Sequence, residues 1–175
     1  MESILYDIKI MLYRNIRTAM TVTVMAMFVL LIIAILKRKN YFKLVVATFP
    51  LIMYTTMMML VTLLTRKDYY EHSFDPMGGW STTIKYRYML IHEWLENIIL
   101  FVPFALSLTF ALWILNRKVN TKIVIGVCAC VSLSIEIIQL ISHRGTFQIA
   151  DLVYNIIGSV IGMVMILLPL EICKK

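Results

Sequence analysis

The chain has 175 residues, 61% of them apolar, with 17 basic side chains against 10 acidic ones. Soluble domains hold about 45–50% apolar residues, and here the apolar residues come in long runs, which excludes a soluble enzyme or binding module. The net charge of +7 sits in short clusters between those runs, as the flanking charges of membrane spans do, which argues against a nucleic-acid-binding face.

Residues 1–17 carry Ile4, Leu5, Ile8, Leu12 and Ile16 at helical spacing, with Asp7, Lys9, Arg14 and Arg17 elsewhere. This pattern fits an amphipathic helix lying in the membrane interface, or an extension of the first span. That span is expected from Thr18 to Leu36. It is too long for a signal-peptide core, and Lys37-Arg38-Lys39 follows it as a stop-transfer flank, so it reads as a retained anchor. A second span runs from Tyr41 to Leu64. A polar connection follows from Thr65 to roughly His92. The third span is expected from Asn97 to Leu115 and the fourth from Ile123 to Ile141. The fifth runs from Asp151 to Leu168 and is ended by Pro169. Each holds enough apolar residues to cross the hydrocarbon core. The expected fold is therefore all-α: a polytopic bundle of about five transmembrane helices forming one integral membrane domain over residues 1–175. No separate soluble domain has room to form.

The short connections after the first and third spans carry Lys37, Arg38, Lys39 and Lys43, then Arg117, Lys118 and Lys122. The C-terminus carries Lys174 and Lys175. The positive-inside rule puts this group in the cytoplasm, with the N-terminus outside. Whatever the orientation, the start of span three, the end of span four, the start of span five and the 65–92 connection must share one face.

That shared face holds an unusual polar group. Ser132, Glu136, Gln139 and His143 fall on one stripe of span four, and Asp151, Asn155 and Ser159 repeat at four on span five. Glu93 and Asn97 add a third pair at the start of span three. Glu136 lies about 8 Å inside the end of its span at 1.5 Å per residue. A charge at mid-span costs roughly 2.5–3.5 kcal/mol on insertion scales, so the group needs a joint explanation. Asp151 is placed to cap the start of its helix. Arg144, in the turn between spans four and five, is placed to pair with Glu136 or Asp151, and Gly145 suits that turn.

Gly158-x-x-x-Gly162 gives span five a smooth packing face, and Pro103 breaks the backbone ladder of span three and is expected to kink it. A polar pocket formed by Asn97, Glu136, Gln139, Arg144, Asp151 and Asn155, with the 65–92 connection as its rim or lid, is one reading of the group. A structural latch of Glu136, Arg144 and Asp151 holding the turn is the other. Acid–base chemistry by Glu136 and Asp151 is compatible with the same residues. The aromatics Tyr69, Tyr70, Trp80, Tyr86, Tyr88 and Trp94 are expected to form an interfacial belt. Cys128 and Cys130 are two apart and face different directions. His72, His92 and His143 lack ligand spacing, so neither a metal nor a cofactor is expected.

Three stretches together resemble the VanZ family of small integral membrane proteins. They are Asn97-Ile-Ile-Leu-Phe-Val-Pro-Phe104, Ser132-Leu-Ser-Ile-Glu-Ile-Ile-Gln139, and Arg144-Gly-Thr-Phe-Gln-Ile-Ala-Asp-Leu-Val-Tyr-Asn155 followed by Ile-Ile-Gly158. The resemblance covers roughly residues 74–168. It departs from the family pattern at Ala105, where glycine is frequent, and at Ala150, where an acidic residue often precedes Asp151. The resemblance implies a role in the bacterial cell envelope and lowered sensitivity to teicoplanin-type lipoglycopeptides. It supplies no mechanism. The partners it suggests are membrane lipids and either the antibiotic itself or a lipid-linked cell-wall precursor. An intramembrane enzyme acting on a lipid-linked substrate is the alternative, although the sequence has no nucleophile motif or phosphate loop. A small transporter or flippase component is a third, weakened by the lack of an inverted repeat.

Overall fold

The computed structural model describes residues 20–30, 32–33, 41–64, 74–77 and 84–172, with side chains from Glu93 onward in the last of these. The expected helix within residues 1–17, most of the 65–92 connection and Cys173 lie outside the described residues, as do the side chains of Tyr86 and Tyr88. Every element longer than one turn is helical, as hydrocarbon requires: with no water to bond, backbone N–H and C=O groups must pair within the segment. The described helices are α1 (Met20–Leu30), α2 (Tyr41–Met59), α3 (Ile84–Asn116), α4 (Thr121–Ile141) and α5 (Ile149–Ile172). Four apolar stretches, Tyr41–Leu63, Glu93–Asn116, Thr121–Ile141 and Ile149–Ile172, are each long enough to cross a bilayer. The protein is an all-α membrane protein. Of the first expected span, Thr18–Leu36, the described part is helical.

The chain divides into two compact units, Met1–Thr65 and Arg66–Lys175. In the first, α2 passes through Pro50 and ends in a π-helical turn at Leu60–Leu64. The hydroxyls of Thr48, Thr55, Thr56 and Thr62 each donate to the carbonyl four residues earlier, at 2.7–2.8 Å. A hydroxyl bonded to its own helix travels through lipid without needing a neighbour.

The second unit is a three-helix bundle with α5 packed mainly on α3. Its packing is dictated by two glycines. A Cβ on Gly158 would overlap the Ile98 carbonyl oxygen, and one on Gly162 would overlap that of Val102. Both numbers rise together, so α3 and α5 run parallel, with both glycines facing the backbone of α3. Phe101, Phe104, Ala105, Leu108 and Ala111 of α3 form the buried core, with Phe101 and Phe104 edge to face at 5.8 Å. Ile137, Ile141, Ile161 and Met165 face outward, as lipid-facing side chains do.

Two boundaries differ markedly from the sequence reading. α3 begins at Ile84, well before Asn97, so the end of the polar connection is already helix. Its charged residues stand outside the apolar window Glu93–Asn116, where a helix needs no apolar run. Pro103 lies inside α3, within the span expected around it. Pro169 lies inside α5, which runs on to Ile172, instead of ending it at Leu168.

Candidate functional site

The end of α4 sets the geometry. The helix stops at Ile141, and the N–H of the capping residue Ser142 donates to the Ile138 carbonyl at 2.8 Å. His143 then adopts φ = 60°, the left-handed conformation that closes many helices. The left-handed residue of this turn is therefore His143, and Gly145 has no positive φ. His143 is exposed and falls off the predicted stripe, because the stripe requires helix and the helix has ended. Ser132, Glu136 and Gln139 do share it, and all three are buried. The Arg144 N–H donates to the Gln139 carbonyl at 2.9 Å, and the chain turns back into α5.

Glu136 reaches the start of that next helix. Its Oε2 accepts the backbone N–H of Gln148, the residue before α5, at 3.3 Å. This is one of the N–H groups a helix start leaves without an intrahelical partner. Asp151 sits in the first turn of α5, where the helix dipole favours an anion. Its Oδ1 accepts Asn97 Nδ2 of α3 at 2.6 Å. One turn deeper, Asn155 Nδ2 donates to Ser132 Oγ of α4 at 2.8 Å. The Ser159 hydroxyl returns to the Asn155 carbonyl at 2.8 Å, and the Cys128 thiol is hydrogen-bonded to Ser159. Asn155 Oδ1 is buried with no hydrogen-bond partner in the protein. Side chains of α3, α4 and α5 thus meet at one end of the bundle, as the span count requires.

The six residues differ in burial. Asn97, Arg144 and Asp151 are half-buried at the outer end. Glu136, Gln139 and Asn155 are buried, each with 3% or less of its surface exposed. Glu93, one turn out from Asn97, is exposed. Of the two positions that depart from the family pattern, Ala105 and Ala150 are both wholly buried.

A short strap, residues 74–77, runs beside the start of α5. Phe74 pairs with Phe147 in a single parallel bridge, their rings stacked at 5.4 Å, and the Ile149 N–H donates to the Pro76 carbonyl at 3.2 Å. Residues 74–77 therefore lie along 147–149, beside the Gln148 N–H that Glu136 holds. Sequence reasoning placed the 65–92 connection at this face but missed the pairing, since no local spacing joins Phe74 to Phe147. It also assigned Trp94 only to an interfacial belt, whereas Trp94 stacks on Tyr154 at 5.0 Å and ties α3 to α5. Among the described residues no group of three or more His, Cys, Asp or Glu is arranged to hold a metal ion. Cys128 is buried and Cys130 exposed, as their spacing predicts.

No protein of curated function and no solved structure matches the chain. The family model VanZ/LLP1 matches residues 24–170, which extends the likeness seen over residues 74–168 back into the first span. The chain belongs to the VanZ/LLP1 family.

Proposed function

We propose that this protein acts in the bacterial cytoplasmic membrane, N-terminus outside, and lowers sensitivity to teicoplanin-type lipoglycopeptides by recognising a polar head group at the outer end of α3, α4 and α5. The head group belongs either to the antibiotic or to a lipid-linked envelope component. The observation that supports this reading is that polar side chains of three helices meet at one end of the bundle: Asn97 with Asp151, Asn155 with Ser132, and Glu136 with the Gln148 N–H. A latch for the α4–α5 turn accounts for Glu136 and Gln148. It does not account for Asn155, which lies about 9 Å inside α5 at 1.5 Å per residue and keeps a buried acceptor to spare. In this reading Arg144 engages an anionic group, the remaining polar residues orient it, and the Phe74–Met77 strap is the lid.

The test is a susceptibility assay in a sensitive host expressing the chain, with membrane abundance measured alongside. Glu136→Ala and Arg144→Ala should each abolish protection at unchanged abundance. Full protection by both variants would reduce the cluster to a latch. Glu136→Gln separates recognition from turnover, because it keeps the shape and the hydrogen-bonding oxygen while removing the titratable group. Recognition predicts that it largely protects. Loss of protection with normal abundance would favour the intramembrane enzyme, with Glu136 and Asp151 as acid and base.

A further inference from the structure

The opposite end of the three-helix unit carries a second candidate site, independent of the polar cluster. The turn between α3 and α4 bears Arg117, Lys118 and Lys122, all exposed. Between Glu96 and Glu136 the sequence contains no Asp or Glu. Among the described residues, Glu171 near the end of α5 is the acidic residue at this end. The turn is a fixed structure. Arg117 adopts φ = 57°, its N–H donates to the Trp113 carbonyl at 2.8 Å, and its guanidinium lies over the Trp113 ring at 5.0 Å. Asn120 caps α4 by accepting the Lys122 N–H at 3.0 Å. Between these two points lies an open groove of about 490 Å³ lined by Leu112, Asn116, Lys118, Asn120, Thr121 and Ile123, with Val119 completing the wall.

The lining has two characters. Lys118 and the amide side chains of Asn116 and Asn120 offer a cation and neutral donors. Leu112, Val119 and Ile123 offer an apolar wall that continues into the membrane-spanning faces of α3 and α4. A soluble anion uses the first and gains nothing from the second. A phospholipid uses both: its phosphate sits among the cations at the helix ends, and its acyl chains run along the apolar wall. We propose that the α3–α4 turn is a binding site for an anionic phospholipid, with Lys118 and Lys122 drawing in the phosphate and Trp113-stacked Arg117 as a fixed third charge.

The test uses the purified full-length chain and native mass spectrometry. Phosphatidylglycerol and phosphatidylcholine of matched chains are titrated separately into detergent. The wild type should retain phosphatidylglycerol preferentially. Each basic residue near an anionic lipid surface accounts for about a fivefold change in binding. Lys118→Gln with Lys122→Gln should therefore lower phosphatidylglycerol retention by about 25-fold and leave phosphatidylcholine unchanged. Lys118→Arg with Lys122→Arg should restore it, which guards against a fold defect. Equal retention of the two lipids by the wild type would overturn the proposal, as would unchanged phosphatidylglycerol retention in the glutamine variant. Inorganic phosphate should displace no lipid at matched concentration. Displacement by phosphate would also overturn it, because the site would then recognise the free anion.

Discussion

The contact between α3 and α5 predicts a specific pattern of non-additivity. A Cβ at position 158 would overlap the Ile98 carbonyl oxygen and stand 3.0 Å from its carbon, where ordinary contact begins at 3.4 Å. At position 162 it would overlap the Val102 carbonyl oxygen and stand 3.0 Å from the Leu106 nitrogen. In both cases the obstacle is backbone, which cannot swing away as a side chain tip can, so α3 must recede along its length. Forcing a packed interface apart costs about 1–3 kcal/mol. Alanine recovers up to about 1 kcal/mol over glycine in helix propensity. Gly158→Ala and Gly162→Ala should each destabilise by about 0–2 kcal/mol, the difference of those two effects. Ile98 and Val102 are themselves one turn apart, so a single recession of α3 accommodates both new methyl groups. The double variant should then cost less than the sum of the singles by at least about 0.5 kcal/mol, a coupling typical of residues sharing one displacement. Gly126→Ala is the control: nothing lies within 4 Å of its Cβ, so it should be neutral or stabilising. Reversible denaturation of the purified protein in detergent, followed by circular dichroism, measures all four. If Gly158→Ala and Gly162→Ala are as stable as Gly126→Ala, the close α3–α5 packing is wrong. If the double variant is strictly additive, the shared-recession argument is wrong.

Ser132→Ala removes the acceptor of the buried Asn155 amide at 2.8 Å and should cost about 0.6 kcal/mol, at most about 1.7, in the same denaturation assay. Asn97→Leu breaks the 2.6 Å bond to Asp151. Because the acceptor is a carboxylate, the loss should be larger, about 1.5–3 kcal/mol. Phe74→Ala removes the ring stacked on Phe147. It should raise amide hydrogen exchange at Ile149, whose N–H bonds Pro76, while exchange along the centre of α5 stays as in the wild type.

The features that were legible from sequence are those fixed by short-range spacing. Apolar run length gave the spans, because each backbone must satisfy itself in lipid whatever its neighbours do. The four-residue repeat of Asp151, Asn155 and Ser159 identified the inward face of α5, since a helix maps spacing directly onto direction. Helix ends were less legible. Pro169 is a sign of termination in soluble helices, yet α5 continues through it to Ile172. In lipid there is no competing hydration to open the ladder, so proline is tolerated inside a span. His143 was placed on the α4 stripe by spacing alone, and it lies beyond the cap, where the spacing no longer corresponds to a direction. The partners across the site were not legible at all. Asn97 with Asp151, Ser132 with Asn155 and Phe74 with Phe147 are each set by how helices meet. That in turn rests on two glycines whose partners are carbonyl oxygens, which carry no side-chain signature.

The way hydroxyls and amides are satisfied separates ordinary polar residues from the cluster. Thr48, Thr55, Thr56, Thr62, Thr109 and Ser134 each bond the carbonyl four residues back, and Ser107 the one three back. Such residues are nearly as well suited to lipid as alanine, and their positions say little about function. Asn97 and Asn155 cannot do this with one bond, because an amide carries two donors and a two-lone-pair acceptor. Each sends its Nδ2 to another helix instead. Glu136 goes further and spends a carboxylate oxygen on the N–H of Gln148. A bundle held by packing alone has no need of these groups, since Gly158 and Gly162 already bring α3 against α5. Leucine in place of Asn155 with alanine in place of Ser132 would fill nearly the same space without leaving an amide oxygen unmatched. If polarity there serves only stability, Asn155→Leu with Ser132→Ala should be at least as stable as the wild type and fully protective against teicoplanin. The head-group reading expects the first outcome and not the second: a stable, abundant protein that no longer protects. Protection retained at full level in that double variant would remove Asn155 from the site, and with it the observation that most clearly distinguishes a recognition site from a latch.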